Sequence, residues 1–137
     1  VGIALLAYAT TGDLSSIEHL KLDKTNFIRL KDWLLTNEPQ GQIRRVTLQN
    51  IEYQSMKFKQ IALSANRLED SDLFLELLTS AQVITNMSFI TPPLSASNRT
   101  LSCRINHWGG LTIYTPNLLD SELSELIKIF EKLFQEA

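Results

Sequence analysis

The sequence predicts an α+β fold: a two-layer sandwich of a mostly antiparallel sheet with about three helices on one face, built from strand–strand–helix units. Three observations carry this expectation. Several short stretches alternate apolar and polar residues, the pattern of a strand with one buried face. Longer stretches place apolar residues three and four apart, the stripe of a helix lying on a core. Each strand then has a single apolar face, which one covering layer satisfies, leaving the other face polar and open.

A strand–turn–helix unit occurs twice. Ala62 to Leu78 aligns without gaps with Thr112 to Lys128, with Leu68/Leu118, Asp70/Asp120, Ser71/Ser121 and Leu73/Leu123 identical. At 137 residues the chain is long enough for a substantial core and reads as a single domain, 1–137. It begins at Val1 rather than Met, and the expectation is a domain excised from a longer protein.

In chain order, Gly2 to Ala9 and Ile17 to Leu22 read as strands, separated by the turn residues Thr10 to Asp13. A helix from Thr25 to Thr36 places Phe27, Leu30 and Leu34 on one face, with Trp33 beside them. Asp23, Thr25 or Asn26 caps it, and Asn37 to Gly41 ends it. Ile43 to Tyr53 and Lys57 to Ala65 form a hairpin. Val46, Leu48, Ile61 and Leu63 point inward there; Arg45, Thr47, Gln60 and Ala62 point outward. The helix from Ser71 to Ser80 buries Leu73, Phe74, Leu77 and Leu78, with Asp70 or Ser71 at its cap. Val83 to Ile90 alternates, with Val83, Met87 and Phe89 on one face. Thr91 to Thr100 is a loop with two prolines, the expected mobile or insertion-tolerant segment. Leu101 to His107 is a strand, Trp108 to Gly110 a turn, and Leu111 to Thr115 the last strand. The final helix carries Leu123, Leu126, Ile127, Phe130, Leu133 and Phe134 on its apolar side, opposite Glu125, Lys128, Glu131 and Lys132.

An alternative fold comes from a recurring apolar spacing, φ-x-x-φ-x-φ. It occurs at Ile17/Leu20/Leu22, Ile43/Val46/Leu48, Phe58/Ile61/Leu63, Ile84/Met87/Phe89 and Trp108/Leu111/Ile113. The segment Ile61-x-Leu63-x-x-Asn66-x-Leu68 resembles a leucine-rich-repeat core, which implies a short α/β solenoid. One interval between copies is only 15 residues, too short for a coil, and Leu101 to Ile105 has no place in the pattern.

Composition narrows the function. Net charge is −2, against a dedicated nucleic-acid binder, which is normally basic. The single cysteine, Cys103, excludes an internal disulfide and suits a reducing, cytoplasmic setting. The apolar start VGIALLAYA is too short for a helical bilayer span, and no membrane partner is expected. Glycine-rich phosphate loops and metal-ligand spacings are missing, so no cofactor or metal is expected. Cys103 and His107 lie ~13 Å apart along one strand, too far for a catalytic dyad. Carboxylates fall at helix starts and on helix faces, where they cap and solvate.

These readings predict a non-catalytic protein-interaction or sensing domain that uses its open polar sheet face. Its candidate binding residues are His19, Lys21, Arg45, Thr47, Gln60, Arg104, Asn106, His107, Trp108, Thr112 and Tyr114. The expected partner is a protein or a neighbouring domain. A nucleic-acid-binding accessory domain is the alternative, drawing on Arg44, Arg45, Lys57, Lys59 and Arg104 with Trp108 or Tyr114 stacking. A small enzyme of unknown reaction is the second alternative.

Overall fold

A computed structural model describes residues 21–135. Helix α1 spans Lys24–Thr36. Strands β1, Gln42–Tyr53, and β2, Met56–Ser64, form a hairpin. Helix α2 spans Asp72–Ser80. Strands β3, Val83–Ile90, β4, Ser102–Asn106, and β5, Leu111–Ile113, follow, and helix α3 spans Asp120–Gln135. The sheet order is β2-β1-β3-β4-β5, with every neighbouring pair antiparallel. The α+β architecture is therefore the one expected, and the solenoid alternative is not confirmed. The expected strand Gly2 to Ala9 and most of Ile17 to Leu22 lie outside the described residues. Lys21 and Leu22 themselves are not in a strand.

Local chemistry explains the element boundaries. The Asp23 side chain accepts a hydrogen bond from the Asn26 backbone N–H while the Asn26 side-chain oxygen accepts one from the Asp23 backbone N–H, a reciprocal cap on α1. Ser71 caps α2 by accepting from the Phe74 backbone at 3.2 Å. In α3, Glu122 stands in the first turn and accepts from the Leu119 backbone at 2.9 Å, so a side chain inside the helix satisfies the residue that precedes it. The two aligned segments thus start their helices two residues apart: Ser71 is a cap, while its counterpart Ser121 lies inside α3.

One hydrophobic cluster joins all three helices to one face of the sheet. Phe27, Leu30 and Leu34 come from α1; Phe74, Leu77 and Leu78 from α2; Leu126 and Phe130 from α3. Phe130 is central, edge-on to both Phe89 of β3 and Trp33 of α1, with ring centres 6.3 and 6.4 Å apart. Leu73, expected inside, is exposed. The stripe of α2 is centred on Phe74, Leu77 and Leu78, and Leu73 lies one residue, about 100°, around from Phe74.

The φ-x-x-φ-x-φ spacing has a different cause from a repeat. The β1–β3 register shifts between Ile43 and Arg45 and again between Thr47 and Leu48. Arg44 is the extra residue on β1, and Thr85 falls at the extra position on β3. Each bulge reverses the alternation, so Ile43, Val46 and Leu48, and likewise Ile84, Met87 and Phe89, all enter the core. A further break occurs at Asn50, whose φ of 56° is left-handed; beyond it Ile51 is buried although Leu48 is too.

Thr91 to Thr100 is not the loose segment its composition suggested. Leu94 is buried, and Thr91 exchanges two hydrogen bonds with Leu101 through its own backbone N–H and its hydroxyl. Glu125 accepts from the backbone of Ser95 and Ala96 at 2.8 and 2.7 Å. Glu122, 0% exposed, accepts from Ser97 at 2.6 Å and from the Arg99 fork, whose Nη2 contact is 2.7 Å. Arg99 also donates to the Asn117 carbonyl at 2.8 Å. The hydrogen bonds from Arg99 and Ser97 hold the Glu122 carboxyl down to about 2 against the opposing effect of burial, and the same contact raises Arg99. Glu122 thus has the helix-start capping role expected of such acids, and it is also buried and anchors the loop.

Candidate functional site

The face of the sheet away from the helices is built from cross-strand rows. The register aligns Ser64, Arg45, Ser88, Arg104 and Thr112, one residue from each of the five strands. On one side of this row lie Ala62, Thr47, Asn86 and Asn106. On its other side lie Gln42, Ile90 and Ser102, with Tyr114 just past β5 donating its backbone N–H to the Ser102 carbonyl at 2.8 Å. None of these residues is acidic.

Arg45 and Arg104 are exposed, and neither makes an ion pair with a described residue. Both pair with Ser88 of the central strand. Two strand spacings put their Cα atoms ~10 Å apart, so two long side chains flank one serine. Thr112 continues the row beside Arg104 and is half-buried. The neighbouring Arg44, displaced by its bulge, differs: its fork donates to Gln42 Oε1 at 3.1 and 2.6 Å.

The other expected residues divide. Thr47 occupies this face but is only 7% exposed, and its hydroxyl hydrogen-bonds to Asn86 across the strand pair. It is a structural contact within the sheet rather than an open binding group. Gln60 is exposed and accepts from Gln49 at 3.4 Å. Asn106 serves the turn that follows: its carboxamide oxygen accepts from the backbones of Trp108 and Gly110, each at 3.0 Å. Gly109, with φ of 85°, supplies the left-handed conformation that turn requires. His19 lies outside the described residues.

Lys21, His107 and Trp108 form a separate cluster at the β4–β5 turn. The His107 and Trp108 rings are 4.7 Å apart, and the Lys21 ammonium sits 4.9 Å from the Trp108 ring centre. His107 Nδ1 lies 3.1 Å from the Thr85 carbonyl, an arrangement in which the ring nitrogen donates. Leu22 donates to the His107 carbonyl at 2.8 Å, tying the incoming chain to this turn. Trp108 remains 54% exposed and Tyr114 56%.

Burial pushes the Cys103 thiol up to about 12, which removes the thiolate. No group of three or more His, Cys, Asp or Glu able to hold a metal occurs among the described residues. Lys57 and Lys59 line a cleft of about 450 Å³ with Asn50, Glu52, Phe58 and Gln82 near the hairpin end, apart from the arginine row. The nucleic-acid residues expected from sequence are therefore not gathered into one track.

Ser88 and Ser64, which complete the row, were not among the residues expected from sequence. Alternation in Val83 to Ile90 places Ser88 opposite Met87 and Phe89, but only the strand order puts it between two arginines. No helix among the described residues is long and apolar enough to cross a membrane. Compared with known proteins, the chain matches no family model, no curated protein and no solved structure.

Proposed function

We propose that this is a non-catalytic protein-interaction domain whose open sheet face receives a protein partner. The observation that carries the reading is the row Ser64, Arg45, Ser88, Arg104 and Thr112, in which two guanidiniums without ion-pair partners flank a hydroxyl on the central strand. Arginine is enriched where a surface binds, because its fixed fork of donors recognises carboxylate and phosphate groups. Exposed Tyr114, adjoining the row, adds an aromatic contact. The unpaired, buried Cys103 accords with a cytoplasmic setting.

Affinity capture with the purified chain tests the proposal against two variants of equal charge change. Arg45→Glu/Arg104→Glu alters the sheet face; Lys128→Glu/Lys132→Glu alters α3. The expected result is a bound protein lost with the first variant and kept with the second. Equal capture by both variants removes the sheet face from the account.

A further inference from the structure

The chemistry of the arginine row defines what it binds. A single carboxylate offers about four acceptor sites, as Glu122 shows by taking the Arg99 fork, the Ser97 hydroxyl and the Leu119 N–H, whereas two arginine forks and two hydroxyls offer about six donors. Here two arginines face each other across Ser88, with Thr112 next in the row. That set of donors exceeds what one carboxylate accepts and matches a dianion with three terminal oxygens. Adjoining rows add Asn86, Gln42 and Ser102, and beside them Arg44 spends its fork on Gln42 Oε1. Lys57 and Lys59 sit near the hairpin end, and Lys21 lies over the Trp108 ring. The positive charge is thus one compact group of arginines, not the extended track that a polyanion needs.

We infer that Arg45, Ser88, Arg104 and Thr112 form a site for a phosphomonoester, carried as a phosphorylated serine or threonine side chain on the protein partner. This rests on the interaction reading above and specifies its ligand. A phosphoryl group brings a charge near −2 and three strong acceptor oxygens, which arginine pairs recognise and an unmodified hydroxyl does not offer. The rows on either side carry no charged residue and are mostly half-buried, with Ala62 and Tyr114 exposed, a low surface beside the site for the flanking peptide.

The test uses the whole chain and an array of peptides, each made with a central phosphoserine and again with plain serine. Inorganic phosphate and a single-stranded oligonucleotide serve as further probes. The proposal predicts peptides bound at least about tenfold more tightly in the phosphorylated form. R45A and R104A should each remove at least about tenfold of that affinity, and K128A on α3 should leave it unchanged. Thermal unfolding of the variants establishes that each is folded. Binding that ignores phosphorylation but is lost in R45A and R104A overturns the phosphate site and leaves the interaction reading standing. Failure to bind any peptide overturns the phosphopeptide site, and the capture experiment above decides the interaction reading separately. Inorganic phosphate bound as tightly as the peptides shows a free-anion site instead of a partner site. An oligonucleotide bound more tightly than any peptide overturns the proposal in favour of nucleic acid.

Discussion

Arg99 and the pair Arg45 and Arg104 present one side chain in two settings. The Arg99 fork grips the fully buried Glu122 and reaches the Asn117 carbonyl, so its donors are used within the fold. Arg45 and Arg104 stand on the open sheet face with no ion pair among the described residues and no acidic residue in their rows. The difference separates structural from available charge. A guanidinium whose donors are consumed holds elements together; one whose donors are free is a recognition group. Arg99 fastens a loop to α3, and the sheet-side pair is the proposed recognition group.

Variants sharpen this contrast, the largest effect coming first. Arg99→Ala leaves a buried carboxylate without its cation, and the melting temperature should fall by about 10 °C. Amide exchange at Ser95 and Ala96 should quicken as the loop lifts from α3. Acid should reach the same contact without mutation. Glu122 is held near 2 in the fold, below its ordinary value of 4.5. Its contribution is present in full above about 4.5 and is lost as pH falls toward 2. Denaturation across that window should show wild-type stability declining, and Glu122→Gln should flatten that part of the decline. A steeper decline in Glu122→Gln would contradict the assignment.

Asn106→Ala removes the acceptor for two turn N–H groups and should cost about 1–2 kcal/mol by denaturant titration. That would mark Asn106 as part of the scaffold beside the site. The smallest change belongs to Arg45→Ala and Arg104→Ala, each expected within about 0.5 kcal/mol of wild type. A loss at either position as large as that at Arg99 would erase the distinction between the two settings.

Much of the fold was legible because its strands and helices follow their periods. Val83 to Ile90 was bounded from alternation alone, and α1 differs from expectation by one residue. The failures share a cause: they depend on contacts remote in sequence. Glu122 resembles an ordinary first-turn acid until Ser97 and Arg99 fold onto it. Thr91 to Thr100 has the composition of a mobile loop, yet two glutamates of α3 fasten its backbone and side chains. The repeated apolar spacing reads as a solenoid only while bulges at Arg44 and Thr85 are unseen. For the site, alternation placed Arg45, Arg104 and Thr112 on the outward face. It did not bring them into one row, because strand order and register are properties of pairing. Thr47 shows the converse, since facing outward did not leave it exposed.

The most direct test measures structure and binding together in the double variant Arg45→Ala/Arg104→Ala. Its thermal midpoint and its capture of the partner would be read on the same preparation. The account predicts a midpoint within about 4 °C of wild type and loss of the captured partner. A well-folded double variant that retains its partner would contradict the claim that this face is the binding surface.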